Sequence, residues 1–412
     1  MTATRAIARR AGKAISTPKT TLSKMNKGII GGKKRAFSMV PSLASPKCGK
    51  VESNTHILLD IKPPHDELVV GTVSARPSKK NKSPYVGDVL LKDGRTALVH
   101  MPSMDMGGKC VIGAQVLLKP ARDPKGNLIG PETLGKYGLP KCEFIMQLLW
   151  VSEAENAPGC WVGAHPGLGE KIAAALLSGG YVSGVSPCPI STTLLSLNYC
   201  DLTELPSISS VQREVRNPAG CDMRADFVLS HDADGKKKTV VEIKTVVDTD
   251  YDYAVSAAHE ETMEEKTQEK TPTTKAKKKK PQKKKCLYFS QLKPYVRSAI
   301  FPWGGGNQRG PEGEKVVSSR AIKHVRELTE IALKKKTEEG TELRSAVIFI
   351  VIREDAMLFR PNHEACPSFA RYLSEARESG VDILAQKVRW GQGNDLGKAF
   401  WEGSVAVQLD HA

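Results

Sequence analysis

The chain has 412 residues and a formal net charge of +16, so its length allows two or three domains with an ample core. Residues 1–50 carry twelve Lys and Arg and no acid, and residues 266–285 carry ten Lys and one Glu. Removing the +12 and +9 of these two segments leaves −5 for the rest of the chain. A nucleic-acid groove on the folded part must therefore be a local patch of positive charge.

Cysteine usage and hydropathy exclude several classes of protein. The nine cysteines are scattered, with no C-x-x-C pair and no zinc-ligand spacing, a pattern typical of reduced thiols in an intracellular compartment. No stretch has the roughly 18 consecutive apolar residues of a membrane-spanning helix. We therefore predict a soluble protein with no membrane partner; the oligomeric state is not indicated by the sequence.

Residues 1–53 are predicted to form a disordered basic segment that directs import into a mitochondrion or a plastid. The stretch TATRAIARRAGKAI can place Arg5, Arg9 and Lys13 on one helical face, and Ser-, Thr- and Lys-rich sequence follows it. Arg-rich, Ser-containing and acid-poor composition is typical of transit peptides. The alternatives are a generic basic tail and a nuclear localisation signal in the Lys-Lys-Arg run that begins at Lys33.

Residues 54–152 are predicted to form a small β-barrel. Six short runs, HILLDI, ELVVGTV, GDVLL, RTALVHM, AQVLLK and FIMQLLWV, are separated by turn signals such as SKKNKSP and KDG. Closely spaced short strands of this kind are typical of an all-β barrel. The loop residues Lys79, Lys80, Lys82 and Arg95 are candidates to grip a phosphate backbone, and ordinary solvated loop charge is the alternative.

A hairpin is predicted where the runs MRADFVLS and TVVEIKTVV flank the polar loop HDADGKKK. Strand alternation puts Glu242 and Lys244 on the same face. A three-residue turn over 233–235, with Gly235 in the left-handed conformation, places Asp226 directly opposite Glu242. A two-residue Asp-Gly turn would put the two carboxylates on opposite faces. We predict the three-residue turn.

Facing carboxylates repel each other, so this register costs stability unless a positive charge sits between them. Mg²⁺ suits that place, because it takes hard oxygen ligands from one or two carboxylates, water and phosphate. The pattern Asp…Glu-x-Lys resembles the PD-(D/E)xK nuclease site. We predict Asp226 and Glu242 as ligands of Mg²⁺, with Mn²⁺ as the alternative ion, and Lys244 as the catalytic group that orients the attacking water. The alternative is a solvated strand face.

Residues 153–250 and 286–395 are predicted to form a second domain, a mixed sheet covered by helices. SRAIKHVRELTEIALKK has an amphipathic helical pattern, SAVIFIVI reads as a fully buried strand, and a second helix and a strand follow as PSFARYLSEARESG and VDILAQKV. The Lys-rich insertion 251–285 is predicted to be a disordered loop, and its roles could be clamping nucleic acid, nuclear import or none. Residues 396–412 are predicted to be a C-terminal tail.

Several collinear motifs across residues 55–390 resemble the sugar fermentation stimulation protein family. They are the His-x-Pro in LVHMPSMDM, the Trp-Val-Gly segment CWVGAHPGLGEKIAAALLSGG, the stretch EVRNPAGCDMRADFVL, the strand VVEIKTV and the helix VSSRAIKHVRELTEI. The resemblance implies an OB-like barrel joined to a restriction-endonuclease-like α/β domain, and it implies binding of duplex or single-stranded DNA more firmly than cleavage. Two hypotheses follow: an Mg²⁺-dependent nuclease, and a catalytically inactive regulatory DNA-binding protein.

The resemblance also adds candidate residues. Glu214 stands at the position of the family's upstream Glu and is a third candidate metal ligand, with an ion pair to Arg213 or Arg216 as the alternative. The helix residues Lys323 and His324 are candidates for phosphate contact; we expect His324 to face sideways from the apolar stripe, and a solvated or capping role is its alternative. Arg224 is a further nucleic-acid-binding candidate.

Two departures from the family's pattern bear on the site. Ser103 and the two residues after it replace the family's Asn-Thr-Gly, so the function of that loop is in question. Trp303 replaces an Asp of the family and removes that carboxylate as a ligand. Retention of Asp226, Glu242 and Lys244 together favours the nuclease, whereas Trp303 favours the inactive DNA-binding protein.

Overall fold

The computed structural model describes residues 56–409, and the described ranges leave gaps at 63, 65, 104–105, 107, 153–157, 184–201, 253–287, 291, 293–294 and 335–339. The predicted targeting segment 1–53 lies outside the described residues. So does the predicted Lys-rich insertion, apart from Tyr251 and Asp252. Asn54–Ala412 is assigned to a single compact unit.

The predicted barrel is present, and it closes with five strands. Its strands are β2 (Val69–Ala75), β3 (Val86–Leu91), β4 (Thr96–His100), β5 (Gln115–Pro120) and β6 (Phe144–Val151). The strand order is β4-β3-β2-β5-β6, and a parallel β4–β6 pair closes the ring. Apolar residues at alternate positions fill the barrel interior, among them Val89, Val99 and Met146. A seventh strand, β7 (Cys160–Gly163), extends the barrel sheet from β6.

A ten-stranded mixed sheet forms the rest of the described chain. Its strands are β1 (Ile57–Asp60), β8 (Ser210–Arg216), β9 (Arg224–Ser230), β10 (Lys237–Val246), β11 (Asp248–Thr249), β12 (Ser298–Phe301), β15 (Glu342–Val351), β16 (Leu358–Pro361), β17 (Asp382–Trp390) and β18 (Lys398–Val407). The order is β11-β12-β16-β18-β17-β15-β10-β9-β8, with β1 on β18. β13 (Gln308–Arg309) and β14 (Lys315–Val316) make a separate ribbon.

Strand β15 lies between two parallel neighbours, β10 and β17. Its apolar run SAVIFIVI is buried on both faces, as predicted, because helices cover the sheet on each side. Helices α2 (Ser319–Lys334) and α3 (Pro367–Glu378) pack on one face, and α1 (Gly167–Ser178) packs on the other together with part of the barrel's outer surface. No helix among the described residues is long and apolar enough to cross a membrane.

Two predicted boundaries are corrected. The run HILLDI forms a strand, but β1 pairs with β18 of the large sheet and not with the barrel. Residues 396–412 were predicted to be a tail, yet β18 is a ten-residue strand between β16 and β17. The burial of Ala399 and Val405 shows that this strand belongs to the core of the sheet.

Candidate metal centre on the β9–β10 hairpin

The predicted hairpin register is confirmed. The last pair of the β9–β10 ladder joins Phe227 to Val241, and Gly235 adopts the left-handed conformation in the turn with φ of 63°. One step further along the same register, Asp226 lies opposite Glu242. The three-residue turn therefore brings the two predicted ligands face to face, because a strand register shifted by one residue would separate them.

Asp226 ends the ladder by using its side chain in place of the backbone. Its Oδ2 accepts a hydrogen bond of 2.7 Å from the backbone N–H of Ile243, which leaves Oδ1 for another partner. Burial raises the pKa of the Asp226 carboxyl to about 6, and the negative charge of Glu242 adds to that shift. The Ile243 N–H bond and Lys244 act in the opposite direction on this pKa. Burial and the neighbouring negative charge therefore destabilise the ionised form of the Asp226 carboxyl.

Glu242 is only 3% exposed and is held at one oxygen. Its Oε1 accepts hydrogen bonds from Lys244 Nζ and His324 Nδ1, each at 2.5 Å. Its Oε2 is buried and has no hydrogen-bond partner among the described residues. Burial acts to raise the pKa of Glu242, but the bonds from His324 and Lys244 outweigh it and the pKa lies below its usual value. Glu242 is therefore an ionised carboxylate with one unsatisfied oxygen, which is unusual for a buried group.

The position of His324 corrects our expectation. His324 was expected to face sideways with a solvated or capping role as one alternative, but it is 7% exposed and bonds to Glu242. Its Nε2 accepts a bond of 3.4 Å from Arg320 Nε. Because a guanidinium only donates, Nδ1 carries the proton and donates to Glu242. Helix α2 buries a wider face than the apolar stripe of Ile322, Val325, Leu328 and Ile331, and this face includes His324.

The carboxylate pair fits a hard divalent cation. Glu242 offers a buried oxygen with no partner, and Asp226 offers an oxygen beside it. Within the described ranges no cluster of three or more His, Cys, Asp and Glu is suited to a metal. Mg²⁺ needs no such cage, because it commonly binds through one or two carboxylates and completes its coordination with water and substrate phosphate.

Glu214, the third predicted ligand, lies on β8 beside Asp226 but is exposed. The pairs Arg213–Phe227 and Val215–Ala225 bracket it in the β8–β9 ladder. Glu214 has a φ of 51° and makes an ion pair of 3.5 Å with Arg224, not with the two arginines considered from the sequence. Its role as a metal ligand stays a prediction.

Glu170 is an acid near the site that the sequence did not single out. It lies in the first turn of α1, and its charge acts to raise the pKa of Asp226. The adjacent Gly169 explains how α1 comes so close to β10: a Cβ there would lie 1.9 Å from the Thr245 side-chain oxygen. In the sequence, the Gly-x-Gly of AHPGLGEK could have indicated this contact, because glycine permits close packing of a helix on a strand.

The predicted nucleic-acid-binding residues fall into two groups. Lys79, Lys80 and Lys82 lie exposed on the loop between β2 and β3. Arg95, by contrast, pairs with Glu143 at 2.5 Å and with Asp93 at 3.3 Å. Unlike Arg95, the three lysines of this loop make no ion pair with a described acid.

Two further candidates are also engaged with acids. Arg224 pairs with Glu214, and Lys323 lies 3.5 Å from Asp222 and 3.3 Å from Glu327. These pairs are exposed on at least one side, so each contributes little to stability and leaves the cation accessible to a phosphate. Phosphate contact by these residues stays a prediction.

The two departures from the family's pattern have structural roles. The ring of Trp303 packs edge-on against Tyr288 with 6.2 Å between ring centroids, so an aromatic contact replaces the family's carboxylate. Ser103 donates a bond of 2.7 Å from its hydroxyl to the carbonyl of Ala164, which ties the loop after β4 to the segment before α1.

A closed five-stranded barrel joined to a mixed sheet, with an acid opposite Glu-x-Lys on a hairpin, defines an OB-like and nuclease-like architecture. A family model described as the sugar fermentation stimulation protein RE domain matches residues 315–394. Over this range the chain is similar to the sugar fermentation stimulation protein family. The matched range includes His324 but begins after the hairpin in sequence, so it does not include Asp226, Glu242 or Lys244.

Curated relatives match over limited segments. The sugar fermentation stimulation protein homolog of Alkaliphilus metalliredigens is 46% identical over 68 residues, which are 16% of this chain and 26% of that protein. The homolog of Caldivirga maquilingensis is 47% identical over 58 residues, 14% of this chain and 24% of that protein. The homolog of Caldanaerobacter subterraneus is 37% identical over 92 residues, 22% of this chain and 34% of that protein. The matches thus span a quarter to a third of these relatives.

Among solved structures, Pyrococcus furiosus SfsA in complex with Ca²⁺ aligns with a TM-score of 0.46 and 15% sequence identity. The alignment covers 86% of this chain and 99% of that chain.

Proposed function

We propose that the protein is a divalent-metal-dependent nuclease that binds DNA and hydrolyses phosphodiester bonds at the β9–β10 hairpin. The observation that carries the proposal is the buried Oε2 of Glu242, which has no hydrogen-bond partner and lies across the strand pair from Asp226. A buried ionised oxygen without a partner costs free energy, and a cation between the two carboxylates removes that cost.

Each residue has a separable role in this proposal. Asp226 and Glu242 hold the metal, which when bound neutralises charge on phosphate oxygens and activates water. Lys244 lies on the same strand face as Glu242 and orients the water that attacks phosphorus. His324 fixes the Glu242 carboxylate through Nδ1–H, so that Oε1 is occupied and Oε2 is left for the metal.

A second candidate function is a DNA-binding protein without turnover. Trp303 favours it, because an aromatic ring stands where the family has an Asp. The ammonium group of Lys244, which already bonds to Glu242 at 2.5 Å, also favours it, because a water-orienting role requires a rearrangement on metal binding. The fold and the carboxylate pair are common to both candidates.

Incubation of the purified protein with plasmid and single-stranded DNA separates the candidates. We expect cleavage with Mg²⁺ or Mn²⁺, none with EDTA, and loss of cleavage in Asp226→Ala and Lys244→Ala. Lys236→Ala is the matched control, because this exposed residue lies in the hairpin turn, roughly 20 Å along β10 from Glu242. Cleavage that persists in both site variants contradicts the enzyme, and salt-dependent binding without cleavage supports the second candidate.

We also propose that residues 1–53 direct import into a mitochondrion or a plastid, with the nucleus as the alternative destination. The support is the Arg-rich, acid-free composition of the first fifty residues. A fluorescent protein fused after residue 53 should reach the organelle, and removal of Arg5, Arg9 and Arg10 should retain it in the cytosol. Nuclear accumulation of the unmodified fusion would contradict organelle import.

A further inference from the structure

Two basic side chains on the barrel surface, on strands β4 and β5, share the same register position beside β6. His100 ends β4 and Lys119 lies near the end of β5, and both are register partners of Ile145 on β6. The three residues therefore form a row across three adjacent strands, with strands spaced about 4.8 Å apart. Ile145 is followed by Met146, which faces the barrel core, so the row lies on the outer surface.

The segment before α1 brings a third basic side chain to this row. The backbone N–H of Ala164 donates a bond of 2.7 Å to the carbonyl of Gln147, which lies on the same strand face as Ile145. His165 follows directly, and α1 begins at Gly167. Lys171 lies one helical turn further on and is exposed. We call His100, Lys119, His165 and Lys171 the junction cluster.

Within the part of the chain that the structure describes, the junction cluster has no acidic partner. No ion pair among the described residues involves any of its four members, whereas the neighbouring Glu170 is taken by Arg213 at 3.2 Å. Burial lowers the pKa of His165, and the charges of Lys171, His100 and Lys119 lower it further. His165 Nδ1 accepts a bond of 3.1 Å from the N–H of Gly167, so the neutral ring carries its proton on Nε2. The cluster thus brings together two ammonium groups and the N–H of a neutral imidazole, none of which has a partner among the described side chains.

The junction cluster adjoins the candidate metal centre through the first turn of α1. Gly169 packs against Thr245, the residue after Lys244. Glu170 contributes to the pKa shift of Asp226, and Lys171 follows it in the same helix. The first turn of α1 therefore lies beside both the metal centre and Lys171 of the junction cluster.

We propose that the junction cluster binds backbone phosphates of the nucleic-acid strand whose neighbouring phosphodiester lies at the metal centre. The inference rests on the proposed function and names how the substrate is held. A phosphate strand fits this surface because its regularly spaced phosphates can pair with the ammonium groups of Lys119 and Lys171 and accept a hydrogen bond from the His165 ring. Contacts of this kind bind the backbone and give affinity without base specificity.

Fluorescence anisotropy with labelled 30-nucleotide single-stranded and duplex DNA, in EDTA and over a range of salt, tests the proposal. The variant is Lys119→Ala with Lys171→Ala, and the matched control is Lys236→Ala with Lys237→Ala in the hairpin turn. Each phosphate contact contributes about −0.7 to the log–log salt slope on single strands and about −0.9 on duplex. We expect the variant to lose roughly two such contacts and the control to lose none. Equal thermal melting of the three proteins checks folding.

Mn²⁺ binding, followed by electron paramagnetic resonance, separates this inference from the proposed function. We expect the double variant to bind Mn²⁺ as the wild type does, while its DNA affinity and salt slope fall. A variant with the affinity and slope of the control overturns the junction cluster, and so does a wild type that binds inorganic phosphate but no oligonucleotide. DNA binding that depends on the cluster without metal-dependent cleavage supports the cluster and refutes the nuclease.

Discussion

Two groups of buried acids lie along and just beyond β10, and they differ in how completely they are paired. Asp248 is 4% exposed and pairs with Lys109 at 2.7 Å. Asp250 is fully buried and accepts bonds from the backbone N–H of Ser298 at 2.9 Å and from Arg360 at 3.2 Å. Six residues before Asp248, Glu242 is equally buried but keeps one oxygen without a partner.

The comparison shows that burial or a shifted pKa alone does not mark a functional acid. Burial raises the pKa of Asp250 as it raises that of Asp226. Both carboxylates accept a bond from a backbone N–H, but Asp250 also pairs with the cation Arg360, whereas Asp226 faces Glu242, which is another acid. A paired group holds the strand to its neighbours, and an incompletely paired group has capacity left for a ligand.

The largest effect is expected at the paired acid. Asp250→Ala should lower the free energy of unfolding by about 3 kcal/mol, because it leaves Arg360 buried with only Glu364 to balance it. Urea unfolding followed by circular dichroism measures the change. Asp234→Ala, in the exposed hairpin turn, is the matched control and should change stability little. If Asp250→Ala lowers the free energy of unfolding no more than the control does, the Asp250–Arg360 pair does not stabilise the fold.

A smaller effect is expected at His324, and it should appear in metal affinity. His324→Ala removes the N–H that fixes Glu242, and loss of such an outer partner typically weakens metal binding by about 10- to 100-fold. His324→Asn can place an amide N–H near the position of Nδ1 and should recover much of the affinity. Calorimetric titration with Mn²⁺ measures both variants. Equal weakening in Ala and Asn would show that the imidazole does not act through its donor.

Part of this architecture could be predicted from local sequence, because the signals were short-range. The six barrel-region strands, helix α2 and the hairpin turn follow from alternation, periodicity and Gly235, each of which acts within a few residues. The partner of β1 is β18, more than 300 residues away, and no local pattern encodes that pairing. The Glu242–His324 contact joins a strand to a helix 82 residues later, so only the folded chain shows it.

The smallest effect is expected for the stability cost of ionising Asp226 opposite Glu242 in the absence of metal. The pKa of Asp226 is raised to about 6, so the folded state loses stability as the pH rises from about 4 to 6 and this carboxyl ionises. Asp226→Asn keeps an oxygen to accept the Ile243 N–H and carries no charge. In EDTA the variant should be more stable than the wild type by about 1–2 kcal/mol at pH 7, with the difference vanishing below pH 4.

Urea unfolding at pH 4 and pH 7 measures that difference, and saturating Mg²⁺ should reverse it at pH 7. The reversal follows because the ion binds the folded wild type and stabilises it, whereas the variant has lost one ligand. A variant that is less stable than the wild type at pH 7 in EDTA would mean that Asp226 is already balanced by its surroundings. Asp226 would then be a fully paired structural acid like Asp248 and Asp250, and the hairpin would not be a cation-binding site.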